Sequence, residues 1–231
     1  MDIENPLPGS ELPQPATVSG LRSAIDAALA KRDRAAAITA SLDAVQAGDI
    51  SVPDLYALVL CPLMTDTGSA WQAGSARVWE EHYATATVRT IVEALAPRVA
   101  EESARAPRRD ETVLLACPPA EYHDLGLRML LDRFQLAGYD AHFLGADTPV
   151  PEICDAAERL GATLVVLSAS THYHRVRLRE VVDSLRKGLP DSVRIAVGGP
   201  AFAHDAEGYS DLLLDLGDLG LTSHAPDAEA G

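Results

Sequence analysis

The sequence predicts an α + α/β chain, a four-helix bundle followed by a doubly wound parallel sheet. Three observations predict it. Between residues 17 and 105 apolar residues recur at helical spacing in four runs with short breaks. Between residues 110 and 222 short apolar runs alternate with helical ones, the pattern of parallel strands joined by crossover helices. Those short runs are continuously apolar, as in strands covered on both faces.

The elements follow in order. Residues 1–16 are acidic and proline-rich and read as disordered, as does the tail 223–231. The first helix buries Leu21, Ile25, Ala28 and Leu29, with Ser19 as its cap. The second, "DRAAAITASLDAVQAGD", stops at Gly48. The third, "SVPDLYALVLCPLMTDTGSAW", has Pro53 in its first turn. A long fourth opens at Ser75 and runs to the charged hinge "ESARAPRRDE". Short connections between the four suggest an antiparallel bundle. Strands are then expected at "TVLLAC", "AHFLG", "ATLVVLSAS" and "VRIAVGG", with helices over 124–137, 150–160 and 174–187 and a weaker end.

The formal net charge is −15, which repels phosphate backbones and argues against direct DNA binding. Cys61, Cys117 and Cys154 are far apart, and they match neither a disulfide framework nor a zinc spacing. The start lacks the basic and apolar regions of a signal peptide, and no apolar run approaches the roughly 20 residues of a membrane helix. A cytoplasmic protein is expected.

Open parallel sheets bind ligands at the carboxyl ends of their strands. Three features fall there. "EYHDLG" follows the first strand and holds Glu121, Tyr122, His123, Asp124 and Gly126; "SAST" follows the third, with Ser168, Ser170 and Thr171; "GGPAF" follows the fourth, with Gly198 and Gly199. Glycines admit a ligand close to the backbone, hydroxyls offer donors and acceptors, and His123 offers a nitrogen ligand or a base. No G-x-G-x-x-G turn, P-loop or nucleophile elbow is present. His172 and His174, in "THYH", have no carboxylate or cysteine partner nearby in a metal-ligand pattern.

Together these features resemble the cobalamin-binding domain of methionine synthase and its relatives. The motif is an acidic residue, any residue, His, two residues and Gly, then a serine strand end, then Gly-Gly. The resemblance implies a Rossmann-like, flavodoxin-like cobalamin-binding domain at 110–222 and a helical bundle at 17–105 capping the upper face of the corrin. It implies His123 as the lower cobalt ligand, with Glu121 as the acid orienting it; Asp124 is an alternative. Ser168, Gly198 and Gly199 would line the groove for the nucleotide tail. Where the family has S-x-L this chain has S-A-S, with Ser170 at the leucine position. A neutral imidazole suits a borderline metal, and an acid on its other nitrogen fixes the tautomer.

The bundle holds "WQAGSARVWEEH": Trp71, nine residues, then Glu81 and His82. This pattern is similar to that of CarH-type light-sensing regulators, which use adenosylcobalamin. The likeness implies Trp71 over the deoxyadenosyl group, Glu81 bonded to ribose or adenine, and His82 as the upper cobalt ligand after light. Trp79, three residues before His82, shares its face and is a second lining candidate. The plainer alternative makes Trp71 bundle core and "EEH" a solvated face. CarH-type regulators carry an N-terminal DNA-binding domain, whereas few residues precede the bundle here. A stand-alone light sensor is therefore expected, a binding protein rather than an enzyme, signalling to a protein partner such as a transcriptional regulator or through self-association. The alternatives are a corrinoid carrier subunit of a methyltransferase and a hydroxocobalamin-binding antirepressor.

Overall fold

A computed structural model describes residues 13–203 and 206–221, so the expected disorder of 223–231, and the first twelve residues of the stretch 1–16, lie outside the described residues; Pro15 and Ala16 are not disordered but open the first helix. The chain divides into two compact units that meet within one helix, between Ala96 and Pro97. The charged hinge at 102–111 therefore lies inside the second unit.

The first unit is helical. Helix α1 spans Pro15–Ala30 and buries Leu21, Ile25 and Ala28, while Leu29 is half-buried. Ser19 is not its cap. Proline at the first helical position starts the helix four residues earlier, and the Ser19 hydroxyl donates to the Ala16 carbonyl. Helix α2 (Arg34–Ala47) is capped by the Asp33 carboxylate, which accepts from the Ala36 amide at 3.0 Å, and ends at Gly48 with φ 79°. The third expected helix is continuous but not uniform. It comprises α3 (Val52–Asp54), a π-helical stretch (Leu55–Leu60) and α4 (Cys61–Gln72). Pro62 explains the widening: its ring crowds the carbonyl four residues back, and the wider turn makes room, with the Cys61 amide bonding the Tyr56 carbonyl instead. Leu55, Tyr56, Val59, Leu60 and Leu63 from this helix are buried, as are Val88, Ile91, Val92 and Leu95 of α5 (Val78–Ser103). Ser75 does not open α5. Its hydroxyl donates to the Ala70 carbonyl and closes α4, while the Glu80 carboxylate accepts from the Arg77 amide at 2.8 Å.

The second unit is a four-stranded parallel sheet in the order β2-β1-β3-β4, with β1 Thr112–Ala116, β2 Asp140–Gly145, β3 Leu164–Ser168 and β4 Arg194–Gly198. Helices α6 (Leu125–Leu136), α7 (Val150–Leu160) and α8 (His172–Gly188) connect them. The strand residues alternate between two cores. Leu114, Val165, Leu167 and Val197 pack with Ile153 of α7 and Leu178, Val182 and Leu185 of α8. Val113, Leu115, Leu164 and Val166 pack with Leu127 and Phe134 of α6 and with Leu219 and Leu221. Both faces are thus covered. Beyond β4 the weaker end contributes one parallel bridge, Val197 to Leu213, closed by Val197 N–H to Leu212 O and Leu214 N–H to Val197 O. The chain moves from β1 to β2 on one side and then crosses to β3 on the other. The carboxyl ends of β1 and β3 therefore flank the point where strand order reverses, the place such sheets bind ligands.

Candidate functional site

The turn after β1 is held by its neighbour. Asp147, in the turn after β2, accepts from the Ala120 amide at 2.7 Å and the Tyr122 hydroxyl at 3.2 Å, while its own amide donates to the Glu121 carbonyl at 2.9 Å. Both Ala120 and Asp147 adopt left-handed φ, 69° and 51°. This brace turns Glu121 inward, where it is fully buried, and leaves Tyr122 exposed.

Glu121 is the hub. Its Oε1 accepts from the His123 amide at 2.9 Å and lies 2.7 Å from His123 Nδ1. Its Oε2 accepts from the Ser170 amide at 2.8 Å and the Ser170 hydroxyl at 2.7 Å. Oε2 also lies 2.9 Å from His174 Nδ1. Burial alone would raise the carboxyl pKa, but the hydrogen bonds from His123 and Ser170 outweigh it and lower the value to about 2 from an ordinary 4.5. An ionised carboxylate only accepts, so each ring donates from Nδ1 and, while neutral, keeps its Nε2 lone pair. The His123 side chain is 67% exposed. A metal-ligating imidazole needs this arrangement, with a carboxylate on the nitrogen away from the metal. The residues present therefore fit a corrin metal at His123. The acid on Nδ1 is Glu121; Asp124 stands at the N-cap of α6.

The glycines divide. A Cβ on Gly126 would meet nothing within 4 Å, so the start of α6 faces open space. Gly199 has φ 105°, and a Cβ there would come within 2.5 Å of the Ala169 carbonyl and 2.7 Å of Ser168 Oγ. Its freedom thus serves the protein's own close packing of the β3 and β4 ends. Gly198 has ordinary room, with Leu214 Cβ at 3.9 Å. Ser168 is buried, and it is Ser170 that reaches Glu121. Cys117, buried beside the loop with its thiol 3.8 Å from the His123 carbonyl, is pushed up to about 12 by burial and by the negative charges of Glu121 and Asp124.

His174 corrects the expectation that the "THYH" pair lacks a carboxylate. Its partner, Glu121, comes from the other strand end. Thr171 caps α8 by accepting from the His174 amide at 3.3 Å, and its hydroxyl lies 2.9 Å from His174 Nδ1. Glu121, His123 and His174 have ligand atoms within 4.8 Å of one another. Asp147 was also missed. The signal available for Asp147 was position, in the turn just after β2 on the same edge of the sheet.

In the helical unit, Trp71 ends α4 at 47% exposure, so it is not bundle core. Glu81 and His82 lie in the first turns of α5. Glu81 accepts from Thr85 Oγ1 at 2.6 Å, and His82 Nε2 lies 3.4 Å from its other oxygen, with the His82 side chain 72% exposed. Trp79 does not share the surroundings of His82. It lines a groove of about 240 Å³ with Leu29, Thr67, Ala70 and Tyr83, the Arg32 guanidinium 5.3 Å from its ring centre. Neither Trp71, Glu81 nor His82 lines that groove.

The B12 binding domain family matches residues 111–221, and a second B12 binding domain family matches residues 21–96. The chain belongs to the B12-binding family. It is a cobalamin-binding protein of helical and α/β parts. It is similar to the HTH-type transcriptional repressor CarH of Myxococcus xanthus, at 28% identity over 178 residues, 74% of this chain and 58% of the repressor. It therefore spans less than two thirds of that relative. It is also similar to dimethylamine corrinoid protein 1 of Methanosarcina acetivorans, at 25% identity over 171 residues, 71% of this chain and 79% of that protein. Among solved structures, the monomethylamine corrinoid protein of Methanosarcina barkeri has the same fold, with TM-score 0.68 and 20% identity over 85% of this chain and 89% of that one. No helix among the described residues is long and apolar enough to cross a membrane.

Proposed function

We propose that this chain senses light through adenosylcobalamin and signals by protein contact. The observation that carries the reading is the set Trp71, Glu81 and His82, an aromatic surface, an acceptor and an exposed imidazole that the unit's own core does not consume. When bound, adenosylcobalamin supplies a cobalt–carbon bond that visible light breaks. His123 would hold the metal through Nε2, with Glu121 keeping the Nδ1 proton in place. Gly126, Ser170 and Gly198 would line the path of the nucleotide tail, past strand ends closed by the buried Ser168 and by Gly199. Trp71 offers a flat apolar face to the adenosyl group, and Glu81 accepts from its hydroxyls. His82, whose side chain is exposed, would supply a second imidazole to the metal once the adenosyl group has left. The output is a contact with a transcriptional regulator or a second copy. A net charge of −15 disfavours DNA as the direct partner.

The test is an absorption spectrum of protein reconstituted in darkness, taken before and after green light. Light should convert the spectrum to that of a bis-histidine cobalamin, and His82→Ala should abolish that product. An identical photoproduct in His82→Ala would remove His82 from the reading. Photochemically silent protein that instead binds methylcobalamin and a methyltransferase would favour a corrinoid carrier. The 79% coverage of the dimethylamine corrinoid protein supports that second reading.

A further inference from the structure

We infer that Glu121, His123 and His174 form a second metal site, for a borderline divalent cation such as Zn²⁺, whose occupation is incompatible with cobalt ligation by His123. The donor set is two imidazoles and a carboxylate, with ligand atoms within 4.8 Å of one another. Two imidazoles select zinc or cobalt(II) over magnesium or calcium, which prefer all-oxygen shells.

The geometry is close to what such an ion requires. His123 Nδ1 lies 2.7 Å from Glu121 Oε1, and His174 Nδ1 lies 2.9 Å from Oε2. Ser170 Oγ lies 2.9 Å from the first ring nitrogen and 3.2 Å from the second. A tetrahedral zinc with bonds of roughly 2.0–2.1 Å sets its ligand atoms roughly 3.3 Å apart. The two histidine–carboxylate gaps therefore need to open by only a few tenths of an ångström, the whole donor set already lies within 4.8 Å, and water would take the fourth position. The carboxylate is held by Ser170 from both its amide and its hydroxyl, and Thr171 holds His174, so the donors are oriented beforehand.

Exclusivity follows from the protons. In the metal-free protein both rings carry hydrogen on Nδ1, facing Glu121. An ion bound at both Nδ1 atoms displaces those hydrogens to Nε2 through solvent, with no net proton released. His123 then presents an N–H where cobalt needs a lone pair. Conversely, cobalt on Nε2 keeps the hydrogen on Nδ1 and closes the site to zinc. This exclusion rests on His123 being the lower cobalt ligand; the zinc site itself does not.

The experiment uses Co²⁺ as an optical probe and Zn²⁺ as its competitor. Cofactor-free protein titrated with Co²⁺ should develop a visible ligand-field band that saturates at one ion per chain and is displaced by Zn²⁺. His174→Ala, which leaves His123 in place, should weaken binding by more than about tenfold, the loss that even an outer-sphere partner can cause. His174→Gln supplies the same comparison should the alanine variant fail to fold. Absence of the band, or undiminished affinity in a folded His174 variant, overturns the site. In a second arm, cobalamin-loaded protein should take up no Zn²⁺, and prior Zn²⁺ should yield cobalamin without histidine ligation. Simultaneous binding with histidine-on cobalamin overturns the exclusion. Failure of cobalamin to bind at all defeats the cofactor reading but leaves the first titration decisive for the zinc site.

Discussion

Glu121 concentrates the chemistry of the sheet unit in one buried carboxylate, and acid should expose its role. Its folded pKa, about 2, lies below the ordinary 4.5. A depressed acid contributes stability in full above its unfolded value and loses it as pH falls through the interval from about 4.5 to about 2. Glu121→Gln should lower stability at neutral pH and flatten that part of the acid-unfolding curve, as followed by circular dichroism. An unchanged acid limb would show that the carboxylate adds nothing to folding. The pairing of Glu121 with His123 was legible in the sequence because the two stand two positions apart in a recognisable motif. His174 was not. Its partner is far off in sequence, and only the crossover that sets β3 beside β1 brings them together.

Among the elements, the glycine-lined strand ends separate packing from binding. Gly199→Ala forces a Cβ to within 2.5 Å of the Ala169 carbonyl at φ 105°. It should cost about 1–3 kcal/mol by denaturant unfolding, with or without cofactor. Gly126→Ala meets nothing within 4 Å and lies in a helix, so the cofactor-free protein should gain about 0.4–1 kcal/mol. The same added methyl should weaken cobalamin binding if the nucleotide tail runs past this point. Equal effects at both glycines would erase the distinction. The central strands β1 and β3 were readable as apolar runs, because strands covered on both faces need nothing else, whereas β2 and β4 are only partly buried and read less purely. Helix starts were less readable. Ser19 and Ser75 are good capping residues, but Pro15 had already begun one helix and the Glu80 carboxylate serves the Arg77 amide at the start of the other. The π-helical stretch had a readable cause, Pro62, in a run otherwise suited to a regular helix.

The whole molecule carries an excess of acid, −15 on 231 residues. Like charges repel in the compact state, and salt screens them over about 8–10 Å at physiological strength. Raising NaCl from low levels to about 0.15 M should therefore raise Tm, read by calorimetry; a fall would mean that attractive pairs dominate. The same excess of charge guards the margin of the sheet. Beyond β4 the described chain supplies a single rung, Val197 to Leu213, so backbone pairing alone leaves that border thinly covered. Arg194 on the strand and Asp211, Asp215 and Asp218 beside it line the adjoining hollow. A foreign strand laid along this border would have to strip water from all four, so electrostatic fencing, rather than a further strand, defends the protein against edgewise aggregation.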